Sequence, residues 1–92
     1  MIAKVKKIQI KDKAWILKLE LRDNKLRKFL EQKASVSING VSLTISGVSK
    51  KFFELNIIPH TLKLTNLKNL KINKFVNVEL DIFSKYIYKY SN

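Results

Sequence analysis

Apolar and polar residues alternate with a period of two along most of the chain, the pattern of strands buried on one face. Residues 14–21 show it most clearly: Trp15, Leu17, Leu19 and Leu21 share one parity, with Lys18 and Glu20 on the other. The stretch Lys33–Ile45 reads as a strand, an Asn39–Gly40 turn and a second strand, with Val41, Leu43 and Ile45 on one face and Ser42, Thr44 and Ser46 on the other. Phe52–Ile58 follows with Phe53, Leu55 and Ile57 inward. Phe75–Ile82 has Val76, Val78, Leu80 and Ile82 inward and Asn77, Glu79 and Asp81 outward. The first strand, Met1–Ile10, changes phase: Ala3 and Val5 hold one parity, Ile8 and Ile10 the other. One extra residue near Lys6–Lys7 accounts for this, so a β-bulge is expected there, bending the strand as a barrel wall requires.

Between these runs the chain carries turn and cap signals. Asn-Gly is the preferred pair for a two-residue hairpin because both positions need positive φ. Lys11–Lys13 and Ser49–Lys51 are the other tight connections, and Pro59, which has no N–H to donate, ends its strand. Asp23 is placed to cap a short helix over Asn24–Glu31, with Leu26, Phe29 and Leu30 on one face. A second short helix is expected from His60 or Thr61, anchored by Leu62, Leu64 and Leu67, and followed by a loop, Asn69–Lys74. The tail Phe83–Asn92 is amphipathic. Six strands, two short helices and tight turns predict an all-β fold, a small closed antiparallel barrel whose closure removes exposed sheet edges.

Composition narrows the function classes. Ninety-two residues suffice for one domain over 1–92 with one modest core. The chain has no cysteine, one histidine and seven acidic residues, so no disulfide framework or thiolate metal site is expected, and most multi-ligand metal centres are excluded. No apolar run approaches the roughly 20 residues of a membrane helix, and no secretory signal opens the chain, so a cytoplasmic domain is expected. The net charge of +12 invites a nucleic-acid reading. However, 17 of the 19 basic residues are lysine, spread from Lys4 to Lys89, beside 11 isoleucines and 8 asparagines. That combination is the mark of an AT-rich coding sequence. Aromatic residues interleaved with lysine, the sharper sign of base stacking, occur as Tyr86, Tyr88 and Tyr90 in the tail alone.

The candidate chemistry lies on the outward faces. Ser42 and Thr44 on one strand and Asp81 on another would form a hydroxyl–hydroxyl–carboxylate cluster on the wall if their strands are close. No base is paired with Ser42 in the sequence, and His60 follows a proline. Such a cluster suits hydrogen-bonded recognition of a polyol and a heteroaromatic ring better than a hydrolytic triad.

Three motifs, in order, carry a family resemblance: G-x-S-L-T at Gly40–Thr44, I-P-x-T-L at Ile58–Leu62 and V-N-x-E-x-D at Val76–Asp81. Together they resemble the second, C-terminal barrel of riboflavin synthase. The resemblance implies a six-stranded Greek-key barrel and a cofactor-free dismutation of 6,7-dimethyl-8-ribityllumazine. A four-carbon unit passes between two lumazines, giving riboflavin and 5-amino-6-ribitylamino-pyrimidinedione. It further implies that Ser42 and Thr44 lie beside the ring, that Asp81 transfers or positions a proton, and that Ile58 touches the ring. Gly40, Thr61 and Lys33, the last near the ribityl chain, complete the implied binding set. In that family each barrel holds one lumazine, and a site forms where the first barrel of one subunit meets the second barrel of a neighbour. A second barrel is therefore the expected partner, within an oligomer that is a trimer for the full-length enzyme. The first barrel, and the Gly-His segment expected before Ile2, are missing, so this is read as a fragment or a single-barrel relative that acts with a partner barrel.

Two other functions fit parts of the pattern: a non-catalytic lumazine or flavin binder, and a basic nucleic-acid-binding barrel. Retention on single-stranded oligonucleotides separates the last of these. We expect none at physiological salt, whereas binding that falls steeply with added salt would support it.

Overall fold

A computed structural model describes residues 1–80, apart from the side chains of residues 24–26. Its six strands are β1 (Ile2–Lys11), β2 (Ala14–Leu21), β3 (Ser35–Ile38), β4 (Val41–Val48), β5 (Phe52–Ile57) and β6 (Phe75–Leu80). They close into an antiparallel barrel in the order β1-β2-β5-β4-β3-β6. The predicted Asp81 and Ile82, and the tail with Tyr86, Tyr88 and Tyr90, lie outside the described residues.

Two connections cross the ring, because β2 and β3, like β5 and β6, stand three places apart around it. The first leaves from Leu21 through a 3₁₀ segment, Asn24–Phe29, and buries Leu30. The second leaves from Ile57, at the opposite end of the antiparallel β2–β5 pair, through helix α1 (Pro59–Leu64) and a 3₁₀ turn at Leu67–Asn69, and buries Leu62 and Leu67. Each end of the barrel thus receives its own leucine plug, and the connectivity is a Greek key.

The alternating residues meet inside. Leu17, Leu19, Leu55, Ile57, Val5 and Val78 are fully buried, and Phe53 is the largest of the core side chains. Among the described residues no polar or charged side chain is buried. The phase change in β1 is a register shift between Val5 and Lys7, as expected. Asn39 and Gly40 take φ of 49° and 87°, the left-handed pair that the β3–β4 hairpin requires.

Four expectations need correction. The first helix is a 3₁₀ segment that stops at Phe29, short of Glu31. Leu64 does not anchor α1 and is 69% exposed: two residues rotate about 200° around a helix, so Leu64 points away when Leu62 points in. Ile10 is 66% exposed, because β6 pairs with β1 only along Ile2–Lys4 and Ile10 lies in the β1–β2 ribbon beyond. Ser46 does not continue the outward hydroxyl row. A second bulge, between Ile45 and Gly47, turns it aside, and its hydroxyl donates to the Glu54 carbonyl at 3.1 Å.

Packing predicts a sharp contrast between two phenylalanines. Phe53→Ala should cost about 3–5 kcal/mol in urea unfolding. Phe75 is 58% exposed, with Lys4 and Arg22 over its ring, and Phe75→Ala should cost under about 1 kcal/mol.

Candidate functional site

β4 alternates buried Leu43 and Ile45 with exposed Ser42 and Thr44, so the two hydroxyls stand on the outer wall as predicted. β3 adds to them, because its register sets Ser35 opposite Thr44 and Ser37 opposite Ser42. Ser37 in turn faces Glu79 of β6, so Ser42, Ser37 and Glu79 form one row across three strands. Among the described residues the hydroxyls of Ser35, Ser37, Ser42 and Thr44 have no hydrogen-bond partner, which leaves them open to water or a ligand.

On its other side β4 is only partly paired. The ladder to β5 runs from Val48↔Phe53 to Ile45↔Leu55 and stops. Continued at that register, Thr44 would face Asn56 and Ser42 would face Ile58. Instead no register pair follows Ile45↔Leu55, and beyond it Val41–Thr44 and Asn56–Ile58 border a seam in which the ladder is not continued. The seam opens at the end of the barrel that carries α1. Ile58, the residue before that helix, is 58% exposed beside the seam. Extended backbone at Ile58 (φ −71°, ψ 155°) and proline in the first helical position explain why the strand stops and the helix begins there.

The other predicted residues fall around this seam at different distances. Thr61 is half-buried in α1, where its carbonyl accepts from the N–H of Thr65 at 3.1 Å and from the Thr65 hydroxyl at 2.7 Å. Gly40 occupies the exposed hairpin tip above Ser42. Lys33 is exposed at the hairpin's opposite end, held at φ 72° with its N–H on the Ile45 carbonyl at 2.8 Å. The structure thus groups Ser42, Thr44 and Ile58 along the seam, with Gly40 at the hairpin tip, Thr61 in the helix that follows Ile58, and Lys33 at the far end. His60 is exposed on α1. The sequence reading missed Ser35, Ser37 and Asn56. Their parity, opposite to Val36, Ile38, Leu55 and Ile57, carried the same signal that singled out Ser42.

A shallow depression of ≈ 220 Å³ lies elsewhere, lined by Lys18, Gly47, Val48, Ser49, Phe52 and Glu54. It overlies the half of the β4–β5 pair whose ladder is intact and contains none of the predicted residues, so the seam remains the better candidate. No group of His, Cys, Asp or Glu among the described residues could hold a metal ion, and no described helix is long and apolar enough to cross a membrane. Chemically, the seam offers two strand edges, two exposed hydroxyls and one apolar side chain. Those groups can hold a flat heteroaromatic ring by its rim and cover part of its face. Because the hydroxyls are exposed and unbonded, Ser42→Ala and Thr44→Val should each change stability by less than about 0.5 kcal/mol in chemical denaturation.

Comparison with known proteins meets the same barrel. Residues 1–81 match the family model of the lumazine binding domain. The riboflavin synthase of Photobacterium leiognathi is 50% identical over 64 residues, covering 70% of this chain and 29% of that one. The riboflavin synthase of Buchnera aphidicola subsp. Schizaphis graminum is 37% identical over 83 residues, 90% of this chain and 40% of that one, and that of Bacillus subtilis is 35% identical over 88 residues, 96% and 40%. The chain therefore spans less than half the length of these relatives. A crystal structure of LumP complexed with 6,7-dimethyl-8-(1'-D-ribityl) lumazine shares the fold, with a TM-score of 0.77 at 24% identity over 86% of this chain and 44% of that one. With residues 1–81 of 92 inside the family model, and riboflavin synthases among its relatives, this chain belongs to the lumazine-binding domain family.

Proposed function

We propose that the barrel binds 6,7-dimethyl-8-ribityllumazine in the seam between β4 and β5, and serves riboflavin biosynthesis as one half of a riboflavin synthase site. The observation that carries this reading is the interrupted ladder bordered by Ser42, Thr44 and Ile58. A pteridine-type ring has donors and acceptors around its rim, so it can bridge two strand edges much as an added strand would. Ser42 and Thr44 then stand beside the ring, and the side chain of Ile58 lies against its face. The row Ser35, Ser37 and Lys33 offers hydroxyl and ammonium partners to a polyol chain. Gly40 and Thr61 border the slot at the hairpin tip and on α1.

The reaction follows from the family resemblance. Two lumazines exchange a four-carbon unit, giving riboflavin and the pyrimidinedione, with the substrate supplying the reacting atoms and no cofactor required. The protein's part is to hold the rings face to face and to assist proton transfers. Ser42, and Asp81 immediately after Leu80, are the residues proposed to hold or move those protons. One outer-wall slot accommodates one ring, so the second comes from another barrel, either a further domain or a second copy in an oligomer. The expected location is the cytoplasm.

Titration of the chain with the ribityl lumazine, followed by fluorescence, tests the binding. Ser42→Ala and Asp81→Ala should each weaken it by about tenfold, the scale of one hydrogen bond to a polar ligand, and Ile58→Asp should abolish it. Riboflavin appearing in the absorption spectrum would mean that two copies assemble a working pair. Binding without turnover, even with a first barrel supplied in trans, would favour a non-catalytic binder. No binding by the native chain would remove the lumazine reading.

A further inference from the structure

We infer that Asn39 is a positioning residue for the seam, fixing its width from the opposite side by tying the hairpin tip to β6. The inference rests on the ligand reading above. β3 pairs with β6 at Val36↔Leu80, Ser37↔Glu79 and Ile38↔Val78. The next position is Asn39, where the chain turns away at φ 49° and its own carbonyl cannot continue the ladder. Its side chain takes over. The Asn39 N–H donates to the Asn77 carbonyl at 2.9 Å, and the Asn77 N–H donates to Asn39 Oδ1 at 2.9 Å. Two such bonds exchanged between facing residues are the ordinary hydrogen-bonded rung of an antiparallel pair. Here an amide oxygen replaces one main-chain acceptor and extends the ladder past the end of β3.

The turn alone does not require this. Glycine adopts positive φ at least as readily, so the bond to Asn77 is a second use of the residue. Its consequence comes from the seam. Val41–Leu43 of β4 are paired with β3 and lie beyond the last β4–β5 register pair, so the tip half of the hairpin is held by its ladder to β3. β3 in turn is held on β6, and Asn39 is its last tie toward the tip. At the base, the Lys33 N–H on the Ile45 carbonyl at 2.8 Å and the Ile45 N–H on the Ala34 carbonyl at 2.9 Å hold the two strands together. With the base fixed, releasing the tip lets Ser42 and Thr44 swing relative to Ile58. Asn39 touches no ligand in this scheme and acts through the placement of β4.

Two substitutions separate the turn from the tie. Asn39→Gly keeps the turn and removes the Oδ1 acceptor, whereas Asn39→Asp keeps an oxygen in the same place. Lumazine titrations well below each variant's unfolding midpoint should show Asn39→Gly weakened by about tenfold, in the usual range for coupling between sites. Asn39→Asp should stay within about threefold of the native chain because the acceptor remains. Equal affinity in Asn39→Gly and the native chain would overturn the inference while leaving the ligand reading intact. Absence of binding by the native chain would remove both. Should Asn39→Gly not fold, amide exchange in the native protein decides, since coupling is reciprocal. Lumazine should slow exchange at the Asn77 N–H about tenfold more than at the Val5 N–H, which sits on the Lys74 carbonyl away from the hairpin. Equal slowing at both would overturn it.

Discussion

The barrel closes through a short ladder, and the rest of the molecule depends on that closure. β1 and β6 pair only at Ile2↔Asn77, Ala3↔Val76 and Lys4↔Phe75. The join is lengthened from both ends. The Met1 ammonium donates to the Val78 carbonyl at 2.8 Å, and the Val78 N–H to the Met1 carbonyl at 2.7 Å. Past β6, the Val5 N–H reaches the Lys74 carbonyl at 2.8 Å and the Asn73 N–H reaches the Val5 carbonyl at 2.7 Å. Six short strands left as an open sheet would expose two unpaired edges and much of one apolar face. Closed, they turn that face inward, and two leucine-bearing crossings cover the ends. The bulge at Val5–Lys7 supplies the bend that lets β1 meet both β2 and β6.

A closed ring leaves few places where backbone groups are available to a ligand. β2 and β5 share six register pairs, whereas β4 and β5 share three although the strands have eight and six residues. The shortfall is concentrated at the end where Pro59 diverts the chain into α1. Among the described residues, three phenylalanine rings on the outer wall carry cations of their own. Lys18 lies 5.2 Å from the Phe52 ring, Lys28 5.4 Å from Phe29, and Phe75 has both Lys4 and Arg22 over it. These cations spend their stems and charges on covering apolar surface. The cations over these three rings thereby acquire a structural use.

Much of the fold could be read from alternation because each strand buries one face and no described polar side chain had to be placed inside. The bulge in β1 was legible because two apolar residues on either side betrayed the phase change. The bulge in β4 was not, since Gly47 and Ser46 give no apolar register to contradict. Helix ends failed where a plug of one turn offers too few residues to define a face, as Leu64 shows. For the site, parity placed Ser42 and Thr44 outward, and the same rule applied to β3 reaches Ser35 and Ser37. The open seam had no local signature at all. It is a property of two strands whose ladder stops, and neither strand announces that by itself. The double role of Asn39 was hidden for a related reason, since turn chemistry alone was sufficient to explain an asparagine there.

The packed interior also decides where catalysis could take place. Phe53, Leu17, Leu19 and their neighbours fill the barrel, so a ligand the size of a ribityl lumazine has no room inside and must lie on the wall. A ring inserted between β4 and β5 would be gripped along its rim, partly covered by Ile58 and left open outward. That arrangement is poorly suited to chemistry on a single bound molecule, because one face stays in water. It suits a reaction between two stacked molecules, since the exposed face is where a second ring, carried on a second wall, can approach. On the proposed reading, the shallow open slot is then the half of a catalytic site that one barrel can build, and the partner barrel is what removes the remaining water.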